Sequence, residues 1–344
     1  MSKLTLPILK DGINFLFKMS PRRGWNTFLI FSSFYYARMT RKSVIWGRPI
    51  AISVEPTTSC NLRCPECPSG LRSFNRETGM LNLDVFGNII NQLYKTTPYL
   101  ILYFQGEPYL NKNFFDFVKI ASNRNMYVAT STNAHYMTKE NAEKTIESGL
   151  DRLIISIDGT TQSVYENYRI GGKLDKVIEG TKNIIEAKKR LKSNTPHIIF
   201  QFLVVKPNEH QIEEVQKLGD SLGVDEVRFK TAQVYDYENG NPLIPENQKY
   251  SRYIKNKDGK YSLKNKMYNH CWRLWHTCVF TWDGVVVPCA FDKDAKYQFG
   301  NIENDAFAKI WQSVPYHAFR QNLLKSRTQI DICTNCTEGT KVWG

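Results

Sequence analysis

The chain has 344 residues, 42% apolar and 23% charged, with 20 glycines and 14 prolines. This is a globular composition, long enough for one large domain or two smaller ones to bury a core, and it excludes a collagen-like, wholly disordered or coiled-coil chain. Lys and Arg outnumber Asp and Glu by 46 to 33, and the eight cysteines are too few for a disulfide scaffold of this size.

The positive excess lies at the start. Residues 1–50 hold Lys3, Lys10, Lys18, Arg22, Arg23, Arg38, Arg41, Lys42 and Arg48 against Asp11 alone, interleaved with aromatics from Phe15 to Trp46. The longest apolar run, over 28–36, is broken by Ser32 and Ser33 and falls short of the ~20 residues that span a bilayer. No small-residue cleavage site follows a clean apolar stretch. The expectation is a cytoplasmic chain with a basic, aromatic helical arm over 1–47. Either a helix over 25–42 lies peripherally on the inner face of an anionic membrane, or the arm packs its aromatic face under the next domain and closes its open side.

From residue 50 the pattern alternates. Strands are expected over 50–57, 99–104, 126–131, 153–157, 197–205 and 226–230, with helices near 83–94, 113–123, 138–148, 174–191 and 209–222. Six strands alternating with helices imply parallel βα units with right-handed crossovers, hence an open doubly wound sheet or an incomplete barrel. In both, ligands collect at the C-terminal strand ends. The alternation fades after about 232. Residues 236–268, rich in Tyr, Asn and Lys, suit a solvated linker, and 269–344 form a compact segment with the other five cysteines.

Just past the first strand stands Cys60-x3-Cys64-x2-Cys67. A thiolate trio leaves one iron of a four-iron cluster without a protein ligand, free to bind a small molecule. The bland alternative is three buried thiols or a zinc knuckle short of its fourth ligand. In the tail, Asp283-Gly284 signals a hairpin that would bring Cys271 and Cys289 towards one end of a ribbon. A helix over 306–313 then delivers Cys333 and Cys336. Spacing alone leaves zinc and a four-iron cluster both open here. Cys278 is left over, as a buried thiol or an alternative ligand. Asp292, three residues past Cys289, is a candidate substrate base or a hairpin cap. His135, His210, His270 and His276 lack ligand spacing.

Cys60, Cys64 and Cys67 resemble the signature of the radical S-adenosylmethionine (SAM) superfamily, whose core is a partial (β/α)6 TIM-like barrel. Gly106-Glu107-Pro108 follows the second strand, where the resemblance implies a turn holding the methionyl amino group. Asn133, after Thr132, ends the third strand and Ser156-Ile157-Asp158-Gly159 the fourth, the ends that face ribose and carboxylate. Arg169, in Tyr165-x3-Arg169, stands where relatives clamp the methionyl carboxylate. Two positions depart: Glu66 replaces the aromatic usual before the third cysteine, leaving the adenine contact unassigned, and Gln105 replaces a glycine. The tail, Cys271-x12-Gly284-x4-Cys289 followed by Cys333-x2-Cys336, is similar to the twitch form of the SPASM extension. It implies one auxiliary [4Fe-4S] cluster on a small β-hairpin-plus-helix domain.

The resemblance implies a core over 48–235, a linker over 236–268 and an auxiliary domain over 269–344. It further implies SAM, a SAM-binding [4Fe-4S] cluster, and a reduced flavodoxin- or ferredoxin-type electron donor. The implied activity is a radical SAM oxidoreductase: a 5′-deoxyadenosyl radical takes hydrogen from a small molecule, lipid precursor or peptide, with net oxidation assisted by the auxiliary cluster. The alternatives are a peptide-modifying maturase and a non-catalytic iron–sulfur or nucleic-acid-binding protein; no base-readout motif accompanies the basic stretches, so no specific nucleic acid is expected.

Overall fold

A computed structural model describes residues 5–342; Lys3 of the basic arm lies outside the described residues. Two helices come first, α1 (Leu6–Phe17) and α2 (Pro21–Thr40). Six strands follow: β1 (Ala51–Val54), β2 (Tyr99–Ile101), β3 (Tyr127–Thr132), β4 (Arg152–Ser156), β5 (His197–Val204) and β6 (Glu226–Thr231). Each pairs parallel with the next, in chain order. A doubly wound sheet would reverse its strand order at a switch point; none occurs across β1–β6, so the incomplete barrel is the arrangement adopted.

The crossover helices cover the outside. A Cβ on Gly219, in the helix Ile212–Leu222, would come within 2.6 Å of the Val227 side chain and 3.6 Å of Phe200. Val227 and Phe200 therefore face outward, and two-residue alternation turns Gln201, Arg228 and Lys230 into the barrel.

The tail is less separate than its sequence suggests. After the two short strands β7 (Tyr253–Lys255) and β8 (Tyr261–Leu263), β9 (Thr277–Phe280) pairs parallel with β1, from Ala51 against Thr277 to Val54 against Phe280. β10 (Val286–Val287) turns back antiparallel on β9 at Gly284, whose φ of +82° suits glycine. The hairpin thus extends the barrel sheet to eight strands and covers the edge of β1. Helices Phe307–Trp311 and Val314–Lys325 pack behind it.

The stretch 236–268 keeps its lysines in water but is not merely a connection. Tyr253 is buried, stacks on Tyr237 and hydrogen-bonds Val234 and Asn335, fastening the tail to the segment after β6.

The arm divides its two faces. Phe15 of α1 sits edge-on to Tyr99 and Tyr127, while Asp11 accepts from Tyr127 Oη and pairs with Arg152. α1 therefore closes the N-terminal end of the barrel rather than its open side. Arg23 of α2 is buried and donates to the carbonyls of Tyr94, Arg124 and Asn125, at the C-terminal ends of two crossover helices, where carbonyls lack helical partners. Phe34 packs on Trp272 and Trp275, a burial worth roughly 1.5–3 kcal/mol. The opposite face leaves Leu16, Phe17, Trp25 and Phe28 more than half exposed.

Candidate active site at the barrel mouth

The loop after β1 and the turn after β2 are built as one unit. Ser69 Oγ donates to Thr58 O (2.9 Å) and accepts Gly106 N (2.9 Å), while Glu107 N donates to Ser59 O (2.8 Å). Gly106 has φ +72°, and a Cβ there would lie 2.3 Å from Thr57 O and 2.7 Å from Ser59 O. Only glycine lets the two loops approach this closely. Within this frame Cys60, Cys64 and Cys67 converge. Burial pushes the Cys60 thiol up to about 11, and the charges of Glu107, Cys64 and Cys67 push in the same direction against the Leu62 amide. The sulfurs have donors nearby: Leu62 N at 3.4 Å and Asn133 Nδ2 at 3.9 Å from Cys60, and Arg169 Nη1 at 3.8 Å from Cys64.

Glu107 is 2% exposed. Its oxygens accept Thr132 Oγ1 (2.7 Å), Asn133 N (2.7 Å) and Tyr109 N (3.3 Å). Burial nevertheless raises its carboxyl to about 7, the surrounding donors and Arg169 only partly opposing it. Asp158 is fully engaged, one oxygen accepting Leu203 N and the other pairing with Arg169 Nε at 2.5 Å. It aims Arg169 at the cysteines. Ser156 lies on the inner face of β4 beside Gln201. The Tyr165 hydroxyl is buried without a hydrogen-bond partner among the described residues, and burial raises it, with Arg169 opposing and Asp158 and Cys64 reinforcing.

The second group forms on the other side of the mouth. Cys271, Cys289, Cys333 and Cys336 line one almost wholly apolar hollow with Pro288, Phe291 and Phe319. Burial drives Cys289 well above the usual thiol range, and Cys336, Cys271 and Cys333 reinforce it. Buried Arg327 donates from Nη2 to Cys336 Sγ (3.2 Å), and Glu338 N approaches the same sulfur at 3.4 Å. Gly339 has φ +72°, and a Cβ there would meet Cys271 Sγ at 2.3 Å. Cys278 stands apart, on the outer face of β9, buried where Arg320 and Tyr316 feel it. Asp292 is 1% exposed, and its two oxygens accept Lys296 N and Tyr297 N, both at 2.8 Å. That arrangement caps the turn after Cys289.

Both groups suit iron–sulfur clusters. Thiols this deeply buried stay protonated unless a cationic centre stabilises the thiolate. Among the described residues, no three His, Cys, Asp or Glu converge closely enough for a single metal ion, whereas a cubane spreads its thiolates over separate irons. N–H donors aimed at sulfur tune such clusters.

A partial parallel barrel with a cysteine triad after its first strand, and four more cysteines beside the mouth, defines the class. The chain belongs to the radical SAM superfamily: residues 54–225 match that family, and residues 271–337 match SPASM, an iron-sulfur cluster-binding domain. The radical SAM domain implies a [4Fe-4S] cluster and SAM, and the SPASM domain implies auxiliary iron–sulfur binding. A relative from Pyrococcus furiosus, a tungsten-containing aldehyde ferredoxin oxidoreductase cofactor-modifying protein, is 27% identical over 83% of this chain and 86% of its own length. The AdoMet-dependent heme synthase of Methanosarcina barkeri is 22% identical over 77% and 82%. Streptococcus suis SuiB, solved with S-adenosylmethionine, shares the fold at TM-score 0.62 and 15% identity, over 87% of this chain and 74% of that one.

Several contributors were invisible in the sequence. Ser69 carries no motif, yet ties the two loops. Glu66, noted only as a departure, accepts Tyr235 N (3.0 Å) and so anchors the cysteine loop to the segment after β6. Asn61 accepts from Asn133 Nδ2 at 2.7 Å, a contact that neither position announces.

Proposed function

We propose that the chain is a radical SAM oxidoreductase that abstracts hydrogen from a substrate held at the barrel mouth and removes a further electron through one auxiliary [4Fe-4S] cluster. When bound, SAM and the two clusters supply a 5′-deoxyadenosyl radical and an acceptor for the electron that follows. Cys60, Cys64 and Cys67 hold the first cluster, and Cys271, Cys289, Cys333 and Cys336 the second. Gly106 and Glu107 receive the methionyl amino group, Arg169 its carboxylate, and Asn133 and Ser156 face the ribose. Asp158 positions Arg169, and Asp292 holds its turn rather than taking a substrate proton. A flavodoxin- or ferredoxin-type protein donates the priming electron. The observation that carries the oxidative reading is the second cysteine group: four thiols around one hollow leave no vacant iron, so that centre is suited to electron transfer rather than to substrate binding.

The test is iron, sulfide and zinc content after anaerobic reconstitution, with 5′-deoxyadenosine formation under strong reductant. About eight irons per chain, falling to about four in a Cys60/Cys64/Cys67→Ala variant, is expected. Absence of SAM cleavage refutes the radical reading. Four irons plus one zinc refutes the oxidative part.

Two features bear on the partners. Among the described residues no helix is long and apolar enough to cross a membrane, but Leu16, Phe17, Trp25 and Phe28 stand exposed, as do the basic Lys10 and Arg22. This combination supports contact with an anionic lipid surface; equal co-sedimentation of full chain and a 1–47 deletion with anionic liposomes would sink it. The alternative reading is a peptide-modifying role; the described part of 1–50 holds two helices and no strand.

A further inference from the structure

The upper barrel interior carries more positive charge than it neutralises. Lys230, on the inner face near the C-terminal end of β6, is open to water yet makes no hydrogen bond or ion pair among the described residues. Arg252 reaches in from the stretch before β7. Its Nε donates to Thr231 O (3.0 Å) and Oγ1 (2.9 Å), its Nη2 lies 3.5 Å from Glu338 Oε1, and its Nη1 is buried without a partner. Arg273 pairs with the other oxygen of Glu338 at 2.9 Å. Two guanidiniums therefore share one carboxylate, and Lys230 has none.

The rest of the barrel is different. Arg228 holds Glu226 with two hydrogen bonds, Arg152 has Asp11, Arg169 has Asp158 and Arg76 has Glu55. Each of these guanidiniums has its own carboxylate, so the surplus is local to Lys230, Arg252 and Arg273.

The three also face one another. Partial desolvation at the mouth depresses the Lys230 ammonium, Glu338 opposes that, and Arg273, Arg252 and Arg228 push it further down. Arg273 also lines the hollow of the second cysteine group, and its charge is felt by Tyr103, past the end of β2. The cluster of charge thus sits between the second cysteine group and the barrel interior. The buried Arg252 Nη1 is the donor that an anion would complete, since a buried guanidinium N–H without a partner is unfavourable. Lys230 and Arg273 present charge at the water-facing side of the same spot. A guanidinium fork beside an ammonium matches a carboxylate or a phosphate.

We infer that the substrate carries an anionic group, a carboxylate or a phosphate, which docks on Lys230, Arg252 and Arg273. This rests on the radical SAM reading of the same mouth and adds the charge class of the substrate. Its target carbon then lies on the cofactor side of that anchor. The competing account, that the surplus only offsets the charge of the auxiliary cluster, predicts no anion binding once both clusters are in place.

The test is calorimetric titration of the reconstituted, SAM-loaded protein with inorganic phosphate and, separately, with succinate. One site is expected for at least one anion, and the preferred one tells tetrahedral from planar recognition. Lys230→Met and Arg252→Gln should each weaken it at least about tenfold, while Lys255→Met, on the exposed hairpin, should not. Iron content near eight per chain in either variant shows that its loss is not misfolding. Failure of both anions to bind wild type, or wild-type affinity in an iron-replete variant, overturns the inference. Scoring 5′-deoxyadenosine on the same wild-type sample separates the two claims: cleavage without anion binding refutes the substrate class alone, whereas no cleavage refutes the radical reading.

Discussion

With Glu107 as the proposed seat of the methionyl amino group, SAM affinity should depend on pH in a direction set by its surroundings. Burial lifts its carboxyl from 4.5 to about 7 in the cofactor-free fold. Between those values the folded chain binds more protons than the unfolded one. The group's contribution to stability is therefore full below pH 4.5 and is lost as pH rises through 7, by about 3 kcal/mol in all. An ammonium set against the carboxylate removes that penalty, so below pH 7 SAM must expel the proton to bind. Affinity should fall about eightfold from pH 7.5 to pH 6, and it should fall again above about pH 8 as an α-amino group deprotonates. Glu107→Gln should bind roughly 10- to 150-fold more weakly at pH 7.5, the worth of a hydrogen bond to a charged group, and should lose the acid limb. Isothermal titration of the anaerobically reconstituted protein at pH 6, 7 and 7.5 measures both. A flat wild-type profile, or an acid limb surviving in Glu107→Gln, would refute the assignment of the amino group to Glu107.

Other substitutions probe the frame. Gly106→Ala forces a left-handed backbone on alanine, a strain of about 1–2 kcal/mol before the contacts with Thr57 O and Ser59 O are counted. It should abolish SAM binding while about four auxiliary irons remain; undiminished SAM affinity would show that the loops need not touch. Asp11→Ala leaves Arg152 facing Tyr99 and Tyr127 without its carboxylate. A loss of about 3 kcal/mol is expected, read as a lower melting temperature, and an unchanged melting curve would mean that α1 is no plug. Glu55→Gln weakens the clasp on Arg76 and the bond from Trp282 N. Amide exchange should then rise together in 54–57 and 280–282, and a rise in one segment alone would deny that the carboxylate ties both.

What the sequence disclosed was chemistry at short spacing. Cys60, Cys64 and Cys67, Gly106-Glu107, and Cys333-x2-Cys336 lie within a few residues of each other, so the constraint that unites them is local. The pairing of β1 with β9 joins residues 51–54 to 277–280, and nothing in either tetrapeptide specifies a partner so distant. Arg23 and Arg252 were hidden for another reason. Arg23 stands in a basic aromatic arm and Arg252 in a stretch that reads as a solvated linker, yet one collects buried helix carbonyls and the other reaches the barrel mouth. Asp292 stayed open in the sequence, because a carboxylate three residues past Cys289 has the same appearance whether it caps a turn or faces a substrate.

The β1–β9 pairing also explains how two cysteine groups far apart in the chain keep a fixed separation. Val54 lies opposite Phe280, so the strand that leads to Cys60 and the hairpin that leads to Cys289 leave the sheet side by side. Glu55, the next residue on one strand, is fully buried; it is clasped by Arg76 and accepts the Trp282 amide from the other. Burial raises this carboxyl and the Arg76 guanidinium, 2.6 Å away, opposes that rise, so the tie sits in a closed site. On the far side, Tyr253 and Gln233 bind Asn335, between Cys333 and Cys336, to the end of β6. The second cysteine group is therefore held at both edges of the incomplete barrel. The electron transfer proposed for that centre would depend on such rigidity, since hydrogen bonds within one sheet, unlike a flexible linker, leave the distance little freedom to vary.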